Sequence, residues 1–189
     1  MASKLLSPFF IILAIVVLIG GWVWSGYNGI ITAEQSLNAS WAQVETQYQR
    51  RVDLIPNLVS TVKGAANFEQ ETFTGVTEAR TKWMNAGSRA ESVAAAGEME
   101  SALARLLVTV EAYPTLKATQ AFTDLMVQLE GTENRISVAR RDYNMEVQTF
   151  NVLVKRFPMN MLAGFFGFEA AEFFESEDGA DVAPDVNFE

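Results

Sequence analysis

From Leu5 to Ala33 the chain carries no charged residue, and the centre of that run, Phe9 to Trp24, reads FFIILAIVVLIGGWVW. A stretch this apolar on every side must be solvated by lipid or by a large protein core, and the remaining chain is too short to wrap it. Crossing about 30 Å of hydrocarbon at about 1.5 Å per residue takes roughly 20 residues. The run therefore predicts a membrane span over about residues 5–27, closed by Trp22, Trp24 and Tyr27 in the manner of an interfacial aromatic belt. A cleaved signal peptide is the competing reading. Against it, the basic amino region is Lys4 alone, and tryptophans stand where a small-residue cleavage site belongs. Because the next basic residue after Lys4 is Arg50, the charge bias predicts an inside amino end and an extracytoplasmic soluble part.

Beyond the span the apolar spacing is helical. Trp41, Val44, Tyr48, Arg51, Ile55, Leu58 and Val62 alternate in steps of three and four, as do Met99, Leu103, Leu106, Val110 and Tyr113. The longest series is Phe122, Met126, Leu129, Glu133, Ile136, Arg140, Tyr143, Val147, Phe150, Val154 and Phe157. A period near 3.5 is that of helices packed with a slight left-handed supercoil, as in antiparallel bundles. Pro56 is expected to kink the first helix without ending it, and Pro114 to end the second. Ser88 and Glu91 fit a capping box after a stop at Gly87, and Thr115 or Thr119 is expected to cap the third series. No strand pattern stands out. The expected fold is all-α: an amino-terminal transmembrane helix leading into a long antiparallel bundle of three to four helices, then a short carboxyl-terminal helix and an acidic tail. The expected boundaries are 1–33 for the anchor, 34–157 for the bundle and 158–189 for the aromatic segment and tail.

Three charges, Arg51, Glu133 and Arg140, occupy positions where the stripe is otherwise apolar. An unpaired buried charge costs several kcal/mol, so these groups are expected to pair across helices, with Glu133 contacting Arg51 or Arg140. Such networks usually fix register rather than perform chemistry.

The chain of 189 residues contains no cysteine and no histidine, which removes disulfides, Cys/His zinc sites and every histidine-dependent nucleophile. No cofactor is implied. A net charge of -9 argues against nucleic acid, whose binding is driven by Lys and Arg. That charge is concentrated: residues 169–189 hold eight acidic side chains and no basic one. The carboxylates between Asp178 and Asp185 lack EF-hand spacing. Ser60 and Lys63 form an S-x-x-K, the spacing of a serine hydrolase dyad, but its companion motifs are missing. Phe165, Phe166, Phe168, Phe173 and Phe174 are expected either to cap the bundle or to dock a partner, another subunit or a lipid interface.

These residues lie in blocks that resemble the LemA family, single-span bacterial membrane proteins with a helical-bundle domain. The blocks are Tyr27-Asn28, AQVETQYQRRVDLIPNLVSTVKG (Ala42–Gly64), ALARLLVTVEAYPTLKA (Ala102–Ala118), LEGTENRISVARRDYN (Leu129–Asn144), FPMNMLAGFFGF (Phe157–Phe168) and the terminal FFE and AP-V-F elements. Arg50, Arg51, Asp53, Pro56, Asn57, Glu133, Asn134 and Arg135 carry most of the likeness. Phe68-Glu69 stands where family members often have a histidine-glutamate pair. The resemblance implies an anchor and a bundle and supplies no reaction, substrate or cofactor. Together with the residues, it points to a non-enzymatic scaffold or adaptor in the bacterial inner membrane. The protein is expected to contact lipid through its first helix and to form a homo-oligomer or bind a protein partner. The alternatives are a Ser60-Lys63 hydrolase and a lipid-interface protein using the carboxyl-terminal aromatics.

Overall fold

The computed structural model describes residues 8–63 and 70–174. Among them there is no strand. Six helices follow one another: α1 (Pro8–Lys63), α2 (Gln70–Asn85), α3 (Arg89–Val110), α4 (Pro114–Lys117), α5 (Gln120–Lys155) and α6 (Met159–Phe166). Phe68, Glu69, Lys4 and the acidic tail after Phe174 lie outside the described residues.

The first part of α1 is apolar on all sides and bare. Phe10, Ile12, Val17 and Leu18 are 58, 61, 64 and 71% exposed, a sleeve that water would not tolerate and that lipid satisfies. The helix is long and apolar enough to cross a membrane.

Two compact units divide the chain. One comprises Met1–Ala42 and Arg141–Phe173. Here Ile30, Leu37 and Trp41 of α1 and Tyr143, Val147, Phe150 and Val154 of α5 are buried, and the Trp41 and Tyr143 rings meet edge-on at 5.3 Å. α6 lies against α1 at Gly26, where an added Cβ would come within 2.7 Å of Leu162 and 3.0 Å of Met159. A side chain there would have to push the ends of Leu162 and Met159 aside.

The other unit comprises Gln43–Arg140 and Phe174–Glu189. Its core is the series read from the sequence: Val44, Tyr48, Arg51, Ile55, Leu58 and Val62 on α1 are all buried, as are Met99, Leu103, Leu106 and Val110 on α3 and Phe122, Leu129 and Ile136 on α5. α2, which the sequence reading passes over, adds Phe73, Val76, Ala79 and Trp83. Contacts run antiparallel: α1 meets α2 at Tyr48/Trp83 and at Val52/Arg80, and α1 meets α5 at Tyr48/Arg140 and at Arg51/Glu133.

Caps and breaks set the limits. Ser88 is extended and accepts from the Glu91 amide at 3.2 Å, while Glu91 Oε2 accepts from the Gly87 amide at 2.7 Å. Thr119 caps α5 through the Phe122 amide at 3.4 Å. Pro114 opens the short helix α4 instead of simply closing α3, because its fixed φ suits a first helical position. Phe157 is 78% exposed and departs from the expected core series, since α5 ends at Lys155 before Pro158 can be reached.

α1 continues through Pro56. A proline here cannot donate to the carbonyl four residues back, that of Val52, and Val52 is fully buried. Arg80 Nε of α2 donates to that carbonyl at 3.3 Å, so a neighbouring helix supplies the bond that the proline deletes. Arg80→Ala is therefore expected to cost about 1.5–3 kcal/mol. In a Pro56→Ala background, where the helical amide returns, the loss should shrink by about 1 kcal/mol or more. Urea unfolding of the detergent-solubilised chain measures this cycle, and equal costs in both backgrounds would refute the compensation.

Candidate functional site: a buried charge cluster

In the unit built on Gln43–Arg140, three helices, α1, α3 and α5, bring polar side chains into the apolar stripe. Glu100 of α3 is the hub, with its side chain 15% exposed. Its Oε1 accepts from the Tyr48 hydroxyl at 3.1 Å and from Arg140 Nη2, and it lies 3.5 Å from Arg51 Nη1. Arg140 also donates to the Tyr48 oxygen. Arg51 completes the set by an ion pair with Glu133, whose side chain remains 48% exposed.

Aromatic faces surround the cations. The Arg140 guanidinium lies 4.4 Å from the Phe174 ring centre and 5.4 Å from that of Tyr48, and Arg51 lies 5.9 Å from Tyr48. Phe174 stacks parallel to Tyr48, and Trp83 of α2 covers Tyr48 at 4.5 Å. Burial pushes the Tyr48 phenol pKa upward, against the pull of Arg140, and pushes that of Arg51 downward, against the favourable charge of Glu100. The neutral phenol is the native form.

Of the three stripe charges, Arg51 meets Glu133, while Arg140 is held by Glu100. Glu100 escapes a reading based on the apolar stripe because it stands one place after Met99. Its signal is different: it lies four residues after buried Ala96 and three before buried Leu103, on the flank of a wider face. Arg50, Asp53, Asn57, Asn134 and Arg135 are exposed. Arg50 reaches Gln47 at 3.5 Å, and Asp53 accepts from Gln49 at 2.8 Å. Asn134 lines a cavity of about 400 Å³ whose apolar walls include Leu103, Leu107, Met126 and Leu129, with Arg51, Glu100 and Glu133 among its polar lining.

Ser60 and Lys63 are both exposed. The Ser60 hydroxyl donates to the Pro56 carbonyl at 2.8 Å, and the Lys63 ammonium sits 5.6 Å from the Phe73 ring centre. A base that faces a ring, beside a hydroxyl spent on its own helix, is not the arrangement of a nucleophile and its activator. Among the described residues no group of three or more His, Cys, Asp or Glu is placed to hold a metal ion.

The carboxyl-terminal phenylalanines divide. Phe174 is buried in the cluster, and Phe166 and Phe168 meet Tyr27 at 4.8 and 5.9 Å. Phe165 and Phe173 remain 83% and 49% exposed. The chain to Phe174 is tied down by Asn151, which both donates to and accepts from the Ala171 backbone at 2.9 and 2.8 Å, and by Tyr143, which donates to the Glu172 carbonyl at 3.1 Å.

An exposed apolar helix and a helical bundle locked by internal charges define a membrane-associated bundle protein. The chain belongs to the LemA family, whose model matches residues 40–188 and so takes in the whole cluster. Magnetosome protein MamQ 2 of Paramagnetospirillum magneticum is 29% identical over 182 residues, covering 82% of this chain and 67% of that one. MamQ of Magnetospirillum gryphiswaldense is 27% identical with the same coverage. Protein LemA of Metamycoplasma hominis is 28% identical over 162 residues, covering 83% and 74% of the two chains.

The hub position of Glu100 has an energetic consequence. Glu100→Gln leaves half-buried Arg140 without an ion-pair partner and buried Arg51 with Glu133 alone, at an expected cost of about 3 kcal/mol. Glu133→Gln removes a half-exposed partner and is expected to cost about 1 kcal/mol or less. Urea midpoints of the two variants decide the ranking, and a reversed order would displace Glu100 from the centre. Tyr48 adds a pH signature. An acid whose pKa is higher folded than unfolded holds its proton longer in the native state, so stability is complete below the ordinary phenol value near 10 and falls as pH rises past it. The fall is expected to be steeper than in Tyr48→Phe, and identical alkaline profiles would show that Tyr48 is not the titrating group.

Proposed function

We propose that this protein is a non-enzymatic scaffold or adaptor, anchored once in the bacterial inner membrane with its bundle on the extracytoplasmic side, that associates with itself or with a protein partner. The observation that carries this reading is the unbroken course of α1, which runs from the bare apolar sleeve into the buried stripe of the bundle. A helix that serves both roles ties whatever the bundle holds to the bilayer without an intervening linker. The polar residues at the heart of the bundle are directed at one another, which suits a part that must keep its shape more than one that must turn over a substrate. Membership of the LemA family and similarity to proteins named for the magnetosome are in keeping with a structural role beside a membrane. Closed homo-oligomers are the commonest form of such association.

Light scattering of the full chain in mild detergent is expected to give a mass of at least two copies, or a stoichiometric complex with a co-purified protein. A monomer with no companion would end the proposal. For orientation, alkaline phosphatase fused after Glu189 is expected to be active, and a fusion active only as a cytoplasmic reporter would reverse the topology.

A further inference from the structure

We propose that α6 is an interfacial foot: its outer face, formed by Met161 and Phe165, is embedded in the lipid headgroup boundary beside the point where α1 leaves the bilayer. This rests on the membrane-anchored reading above and deepens it.

Three observations place it there. α6 has two apolar faces. Leu162 and Ala163 are buried and Met159 packs towards Gly26, whereas Met161 and Phe165, one turn apart, are 64% and 83% exposed, with Phe157 78% exposed just ahead of the helix. A helix wrapped in water would bury or replace such residues, and a contiguous bare apolar face marks a contact surface.

The second observation is position. The described apolar sleeve begins at Pro8, and roughly 20 residues at about 1.5 Å each bring it across the hydrocarbon by Tyr27. α6 is fixed at that level, through Gly26 against Leu162 and through Tyr27 against Phe166 and Phe168. Its bare face therefore lies near the level on α1 marked by the exposed interfacial tryptophans Trp22 and Trp24, 40% and 73% exposed. The occupant of that surface is the bilayer.

Charge is the third. From Phe157 to Phe168 there is no charged residue, and the two residues before it, Lys155 and Arg156, are both exposed cations. Cations ahead of an apolar helix can meet lipid phosphates where that helix lies in the interface plane, while on the other side of it the acidic Glu169 and Glu172 stay exposed to water.

The absence of cysteine makes single-cysteine labelling clean. The full chain carrying an NBD dye at Met161→Cys, Phe165→Cys, Val16→Cys or Met145→Cys is reconstituted into phosphatidylcholine/phosphatidylglycerol vesicles containing nitroxide lipid, labelled next to the headgroup for sites 161, 165 and 145 and deep in the acyl chain for site 16. Val16 reports the span. Met145 is 52% exposed and two residues past Tyr143, the partner of Trp41, which lies about 21 Å beyond Tyr27 along α1. It serves as the aqueous reference. Quenching at 161 and 165 at least about twofold above that at 145 is expected for a helix at interfacial depth. Quenching at 16 with 161 and 165 matching 145 overturns the foot while leaving the anchor intact. Probes at 161 and 165 shielded from aqueous iodide yet unquenched by lipid nitroxide also overturn it, and assign the face to a second copy. If 16 is unquenched, the anchor fails and the foot falls with it.

Discussion

One carboxylate joins three helices, α1, α3 and α5, at a single point. Stripes spaced three and four repeat every seven residues, so a helix displaced by one heptad along its neighbours would still meet apolar side chains, and burial alone distinguishes such alternatives weakly. Glu100 removes the degeneracy. It serves Tyr48 and Arg51 of α1 and Arg140 of α5 together. A shift of α3 by even one turn, about 5.4 Å, would carry the acceptor away from every donor, leaving Arg140 without a carboxylate and Arg51 with Glu133 alone. Glu133, at the rim, adds a second tie between α1 and α5.

α1 has to satisfy two solvents within one continuous helix. Up to about Trp24 its side chains are apolar all round and bare; from Gly26 onward buried positions return at Ile30, Leu37 and Trp41, and the stripe begins. Proline is tolerated late in the same helix for a local reason, since Arg80 supplies the bond that Pro56 withholds. The backbone accounting closes through a side chain from another helix, which no inspection of α1 by itself would reveal.

Much of the fold is legible in the sequence because it depends on period and on hydrophobicity, both local properties. The stripes on α1, α3 and α5, the cap at Ser88 and the bare apolar run are all of this kind. α2 is harder to see: Thr74, Gly75, Thr77 and Thr81 lower its intrinsic helicity, and its apolar positions emerge only once Phe73, Val76 and Trp83 are found packed. Of the cluster, the misplaced charges Arg51, Glu133 and Arg140 announce themselves because a charge breaks an apolar pattern. Glu100 breaks none. It sits beside the stripe, and its importance comes from three partners on two other helices, which are brought together only by tertiary structure. The phenylalanines near the carboxyl end carry one composition and several fates, because what each contacts is decided by distant residues such as Tyr27 and Tyr48.

The guanidinium nitrogens that make no hydrogen bond bear on what the cluster is for. Among the described residues Arg51 Nε and Nη1 and Arg140 Nε are buried and donate no hydrogen bond, although Arg51 Nη1 faces Glu100 Oε1 at 3.5 Å. Yet each guanidinium lies near an aromatic ring, Tyr48 for both and Phe174 for Arg140. A ring face offers a desolvated cation attraction without a lone pair, worth about 0.5–2 kcal/mol. It cannot take up or deliver a proton. Within the cluster the Glu100 carboxylate is shared among Tyr48, Arg51 and Arg140, Phe174 covers Arg140, and Arg51, Glu100 and Glu133 also border the cavity beside α3 and α5. Where Phe174 and Tyr48 keep water from the Arg140–Glu100 pair, the lower local dielectric strengthens it, whereas the Arg51–Glu133 pair meets water at the half-exposed Glu133.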